Sequence, residues 1–475
     1  MKRGLTAAAV VAAALAVAEP ASAHGLGGVR NLPIPGWLFL FGGAAVLVVS
    51  FVALAVLWQT PRLEPGASER PLPRPLQHLF LSRPLRVGVA ALAFAVFVVV
   101  WAAAAFGNPI PFENLAPTFI YVVFWLGVVP LVVVFGNVWT VLNPWKAAAD
   151  AVAWGAARAS LAPVAHLRYP KRAGRWPAAV LLLAFTALEL AFYDPANPRV
   201  LAAAILVYSL VTWAGMLVFG RLTWLENGDG FSVYFDLLSR LAPITVRDRE
   251  HGREIVVRRP LSGLAAREAM PGTIAAVAVM LGSVAFDGFS RTTTWQGWVA
   301  DATADFSDSG QLAVDLAGTA FNAVALVATV ATVAAAYLAA VAAAEAVAGR
   351  EASLAGVFLN SLIPIALVYA VAHYLLFFLV QGQFAIPLLS DPFGRGWDLL
   401  GTHDFQPKLD VLSPNTTWYI QVAALVVGHV FGLVVAHDRA VAVARSPRTA
   451  TRTQYAMLAL MVAYTVGGMW LLTLG

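Results

Sequence analysis

Ten apolar runs separated by polar intervals set the pattern of this chain. They fall at about 36–58, 86–106, 117–140, 177–192, 200–220, 270–288, 314–348, 354–381, 416–437 and 454–474. A helix needs roughly 20 mostly apolar residues to cross a bilayer. The pattern therefore predicts an all-α, polytopic transmembrane bundle of about ten spans, the fourth short and the seventh long. Three of the intervals carry patterns of their own. Residues 144–160, "PWKAAADAVAWGAARAS", set Lys146, Asp150 and Arg158 among apolar neighbours, which suits a helix lying on the membrane interface. Residues 228–244, "GDGFSVYFDLLSRLAPI", read the same way, with Asp236 and Arg240 four apart on one helix face. The following "ITVRDREHGREIVVRR" alternates around His251 and Gly252 and predicts a β-hairpin.

Basic residues orient the bundle. With the mature N-terminus outside, 24 Lys and Arg fall on the inner side and 5 (Arg30, Arg199, Arg291, Arg395, Lys408) on the outer side. That asymmetry satisfies the positive-inside rule and predicts a plasma-membrane protein with both termini extracytoplasmic. The net charge of +5 is then a bias of one membrane face, and no nucleic-acid partner is implied. Segment 221–269 becomes a small cytoplasmic cap carrying the hairpin. The intervals 289–313 and 382–415 become long extracytoplasmic loops with little secondary structure, rich in Asp and Trp.

Composition narrows the class further. The chain is 60% hydrophobic and 12% charged, with a mean hydropathy of +0.75, too apolar for one water-soluble core. Its start, "MKRGLTAAAVVAAALAVAEPASA", has a basic end, a short apolar run and a small-residue finish, the marks of a secretory signal over 1–23. The mature single membrane domain is then 24–475. With no cysteine, thiolate metal sites and Cys-based catalysis are excluded. No GxxxxGK[ST], GxGxxG, HExxH or GxSxG motif stands in a suitable context, so any chemistry belongs to the bundle itself.

Ionisable groups inside apolar spans are costly and mark candidate sites. Glu189 and Glu345 lie near span ends, where they can snorkel. His373, in "LIPIALVYAVAHYLLFFLVQGQ", and His429, in "LVVGHVFGLVVAHDRA", lie deeper, while His437 precedes Asp438 and Arg439 at the inner interface, where water can solvate it. Asp287 sits at the outer end of the sixth span, as a helix cap or as a base or ligand at a cavity mouth. Imidazole ligates metals and titrates near neutrality, so His373 and His429 are candidates for metal binding or proton transfer, with zinc or copper the fitting ions. Each is equally read as a neutral histidine bonded to a hydroxyl or carbonyl. After cleavage His24 would offer its α-amine and imidazole as a chelating pair suited to copper or nickel.

At these residues the chain also resembles a known group. "HGLGGVRNLPIPGWLFLFGGAAVLVVSFVALAVLW", "LAPTFIYVVFWLGVVPLVVVFGNVWTVLNPW", "ENGDGFSVYFDLLSRLAPI", "PGTIAAVAVMLGSVAFDGFSRT" and "GHVFGLVVAHDRA" together look like the actinobacterial integral membrane proteins called fenitrothion hydrolases. The resemblance implies an enzyme that hydrolyses an organophosphate triester, releasing a phenol from a thiophosphate. It assigns no catalytic positions. The His-x-His pair of binuclear-metal phosphotriesterases is absent. Under the hydrolase reading Asp287 acts as base or ligand, with His373 and His429 holding an ion that activates water. The bilayer and an apolar small molecule are the expected partners. Two other readings stand beside it. One is a transporter for a small molecule, proton or metal ion, its path lined by His373, His429, Asp287 and Gln381. The other is an assembly protein holding copper or haem between helices.

Overall fold

The computed structural model describes residues 36–474 apart from 65, 67, 163, 250–251, 267–269 and 350–352; the expected signal segment 1–23 and His24 lie outside the described residues. The chain is mostly helical. In order it forms α1 (Gly36–Leu57), β1 (Arg70–Pro71), α2 (Arg74–Leu81), α3 (Arg83–Phe106), α4 (Leu115–Thr118), α5 (Val128–Phe135), α6 (Trp139–Leu142), α7 (Pro144–Arg158), α8 (Trp176–Leu190), α9 (Pro198–Phe219), α10 (Arg221–Asn227) and α11 (Gly230–Ser239). The second half holds β2 (Ile244–Arg249), β3 (Gly252–Val257), α12 (Thr273–Ser290), α13 (Thr293–Thr303), α14 (Gln311–Ala348), α15 (Ala355–Phe358), α16 (Leu362–Gln381), α17 (Ala385–Ser390), α18 (Pro414–Val443), α19 (Pro447–Thr453) and α20 (Tyr455–Leu474).

By length and composition, seven helical stretches among the described residues can cross a membrane: Arg83–Phe106, Leu115–Phe135, Pro198–Phe219, Thr273–Ser290, Gln311–Ala348, Ala355–Ser390 and Pro414–Val443. Phe41–Leu57 and Trp176–Leu190 are shorter apolar helices. These helices identify a membrane protein. Several begin where the sequence supplies an acceptor for otherwise unpaired N–H groups: Asn143, Asn197, Asp229 and Ser413 each cap the helix that follows.

At the centre α12 packs against α8, α14 and α16, and α16 packs against α18. Small residues set those distances. A Cβ on Gly282 of α12 would lie 2.8 Å from Val330 Cα of α14, and one on Gly432 of α18 would lie 2.8 Å from the Ser361 carbonyl oxygen. Gly282→Val is accordingly expected to force α12 and α14 apart and cost about 1–3 kcal/mol. An unchanged thermal unfolding midpoint of the detergent-purified chain would refute that packing.

One end of the bundle carries a three-stranded antiparallel sheet, ordered β1-β3-β2, in which Arg70 pairs with Val257 and Ile244 pairs with Val257 on its other side. The hairpin appears as expected, with Arg249 opposite Gly252, and gains a strand from the first interval. Glu69 locks the junction by accepting from Arg247 at 2.6 Å and Arg249 at 3.1 Å. At the same end Arg175 binds Asp236 at 3.2 Å, and Arg439 donates to the Ala265 carbonyl at 2.9 Å.

Three expectations change. Residues 230–239 do not lie on a surface: Phe231, Val233, Phe235, Leu237 and Leu238 are buried, and α11 packs against α5, α8 and α16. Its Asp236 and Arg240 still pair, and Arg175 and Asn360 meet these charges from inside the bundle. The interval 289–313 is not a bare loop, since α13 and a 3₁₀ turn over Ala304–Ser309 fill most of it. His437 is not solvated. It is 2% exposed, and its Nδ1 and Nε2 face Gln454 Oε1 at 3.1 Å and the Trp58 carbonyl at 2.9 Å.

Candidate functional site

The span after α3 is irregular where it meets the centre. Between α4 and α5, residues Phe119–Phe124 form a π-helical turn, in which Trp125 N–H reaches back five residues to the Ile120 carbonyl. Pro130, lacking an N–H, follows one turn later. Such π turns widen a helix and recur at functional sites. Just past the turn, Trp125 begins the wall of a cavity of about 330 Å³ bounded by α5, α8, α11, α12 and α16. That volume suits a small ligand. Its lining is almost wholly apolar, from Trp125, Val129, Leu182, Met280 and Leu367 among others. Trp125 and Tyr234 stack at 4.5 Å between ring centres and make one flat wall. The polar exceptions include Thr186, Glu189, Ser283 and Tyr374.

Tyr374 joins this cavity to a charged cluster. Its hydroxyl donates to Asp287 Oδ2 at 2.9 Å, and His373 Nε2 meets the same oxygen at 2.8 Å. Arg291 Nε donates to Oδ1 at 2.9 Å, from the C-cap position one turn on, just past the end of α12. The Asp287 side chain is 4% exposed, against 20% for His373 and 61% for Arg291. A carboxylate receiving three donors, one cationic, is satisfied by charge-assisted bonds that are strong where water is excluded. With Nε2–H aimed at Asp287, a neutral His373 keeps its lone pair on Nδ1, the carboxylate thereby selecting the tautomer. Glu189, also in the cavity wall, lies close enough to interact electrostatically with Asp287 and Arg291.

Two of the expected site residues, Asp287 and His373, thus come together directly. His429 does not join them. It is fully buried on α18, its Nδ1 donating to the Leu425 carbonyl of its own helix at 2.7 Å, while Nε2 has no hydrogen-bond partner among the described residues. Its near aromatic neighbour is Tyr369, 5.9 Å away between ring centres. Gln381 is exposed and does not line the cavity. The outer-loop acids Asp391 and Asp398 serve their own loop: Asp391 accepts from the Arg395 and Gly396 N–H groups, and Asp398 from Ser390 and the His403 N–H.

The donor set does not fit a metal ion. No group of three or more His, Cys, Asp or Glu side chains placed to hold one occurs among the described residues. A cation at Asp287 would also have to displace Arg291. Two functional candidates, Arg291 and Tyr374, are not singled out in the sequence. Arg291 was detectable through its i,i+4 spacing from Asp287, and Tyr374 through its adjacency to His373. Glu189 is visible there as a charge in an apolar run, but its place near a span end reads as snorkelling. No protein-family model, curated protein or solved structure matches this chain.

Proposed function

We propose that the chain is a membrane-embedded hydrolase of neutral, apolar phosphotriesters, as its resemblance to the fenitrothion hydrolases implies. The observation that carries this reading is the Tyr374–Asp287–His373 chain of hydrogen bonds at the wall of an apolar cavity. A neutral triester partitions from the bilayer into such a cavity without a desolvation penalty on charge. Water attacks phosphorus while its proton passes to the Tyr374 oxygen and the Tyr374 hydroxyl proton passes to Asp287, whose carboxylate the His373 Nε2–H and Arg291 hold in position. The bond from phosphorus to the aryl oxygen breaks, and Glu189 protonates the departing phenolate. The proton held by Asp287 then returns through solvent to Glu189, restoring both groups. Arg291 balances the carboxylate so that the pair stays charge-compensated out of water.

The same proposal includes ten spans with both termini outside. It is supported by how the intervals sort. Those expected inside meet one another through the sheet, Arg175 with Asp236, and Asp438 with Arg62. Those expected outside also meet, Asn108 N–H reaching the Phe393 carbonyl, and Tyr193 N–H reaches Thr319 near the expected outer end of the seventh run. The helices α1, α8 and α20 supply the three spans beyond the seven.

Tyr374→Phe provides the test. Turnover of a p-nitrophenyl dialkyl phosphate by the chain in nanodiscs is expected to fall about 10²-fold, the lower end of acid–base contributions, with little change in unfolding midpoint. Full activity would remove Tyr374 from the route. A transporter reading is favoured by one further observation: the same bonds run from the cavity wall to His373, which is partly exposed, and so trace a proton path. Uptake into proteoliposomes after a pH step, without product release, would select it.

A further inference from the structure

Helix α2 divides cleanly into two faces. Leu76, Leu79 and Phe80, at i, i+3 and i+4, are 40%, 52% and 53% exposed. Arg74, Gln77, His78 and Leu81, on the opposite stripe, line a notch of about 400 Å³ shared with Ser82, Arg253 and Glu254. The helix is fixed in place: Gln77 donates to the Leu72 carbonyl at 3.0 Å and accepts from the Ile255 N–H of β3 at 3.3 Å. An amphipathic helix anchored in this way, with exposed apolar residues on one side, has the form of an element lying at a membrane surface. The apolar stripe continues into α3 through the exposed Leu85 and Val87.

The notch has the chemistry of an anion site. Arg74 makes no hydrogen bond or ion pair among the described residues, and Arg253 spends only Nε, on the exposed Asp248 at 3.3 Å. Glu254, the acid in the wall, is drawn to Arg249 at 3.4 Å. Two guanidinium groups, an imidazole and a hydroxyl therefore converge on one stripe of α2, with the exposed leucines on the other. Guanidinium forks match phosphate oxygens in pairs.

We propose that this notch binds the phosphate headgroup of an anionic phospholipid, whose acyl chains turn past Leu81 at the notch and around the helix to the apolar stripe of Leu76, Leu79 and Phe80. Free phosphate shares the headgroup chemistry but not the chains. The test uses the full chain in nanodiscs of phosphatidylcholine with and without phosphatidylglycerol, reading lipid retained on the detergent-released protein by native mass spectrometry. A basic residue near an anionic membrane surface contributes about 1 kcal/mol. R74Q and R253Q should each therefore lower phosphatidylglycerol retention about five-fold and the double variant further, while R158Q, remote on α7, leaves it unchanged. Equal retention by all variants overturns the site. If millimolar inorganic phosphate strips the lipid from the wild type as fully as the double variant does, the acyl chains contribute nothing and the lipid assignment falls. Each side chain is on the surface and replaced by an uncharged relative, so loss of folding is not expected. Unchanged retention of phosphatidylcholine by the variants checks this, and a parallel loss of both lipids counts against the proposal.

Discussion

Asp287→Ala is expected to lower phosphotriester turnover by about 10³-fold or more, and His373→Ala by about 10²–10⁴-fold, the range of positioned acid–base groups. The two should not add. Once Asp287 is gone, His373 loses the oxygen that fixes its tautomer, so the double variant should lie close to the worse single one, as residues acting as a unit do. Asp287→Asn separates charge from shape: its amide oxygen still accepts from Tyr374 or His373, but Arg291 loses its counter-charge. Steady-state rates in nanodiscs over a pH series, with unfolding midpoints as a control, measure this. Additive losses would show that Asp287 and His373 work separately, and unchanged rates in both single variants would end the assignment.

The second large effect concerns stability. Asp438 is fully buried, and its Oδ1 accepts from Trp58 Nε1 at 3.0 Å, the Arg62 N–H at 2.6 Å and the Leu63 N–H at 3.2 Å, while Oδ2 binds Arg439. One carboxylate thereby ties the segment after α1 to α18, hundreds of residues later. Removing one partner of a buried charged pair typically costs about 3–5 kcal/mol, because the other is left unsatisfied. Asp438→Ala should lose that much, visible as a large drop in the unfolding midpoint. Asp438→Asn should lose less, since its oxygen still accepts from the backbone donors. If alanine and asparagine variants both unfold like the wild type, the carboxylate does not hold these segments together.

How much of this was legible in the sequence depends on range. The apolar runs, the hairpin and the helix over 144–158 follow from local periodicity and are recovered. The burial of α11 was hidden, because Asp236 and Arg240 look like a surface pair until Arg175 and Asn360 arrive from elsewhere in the chain. Asp287 and His373 each stood out as charge in an apolar run, yet nothing in one sequence says that α12 and α16 are neighbours. His437 misled for the same reason: proximity to Asp438 and Arg439 suggested water, whereas Trp58 and Gln454 fill that space. Glu189 was read as a group that escapes to the interface, but the helices around α8 enclose a cavity at that level.

The sheet carries a consequence for how the molecule is made. β2 and β3 are consecutive and can pair as soon as both have left the ribosome, but β1 pairs with β3 across more than 180 residues, from Arg70 to Val257. Until the hairpin is synthesised, Glu69 lacks Arg247 and Arg249 of β2 and the edge of β1 lacks β3, while several hydrophobic segments are made ahead of it. Docking of the segment between α1 and α3 is thus left open until the middle of translation, when arrival of a single strand closes the register.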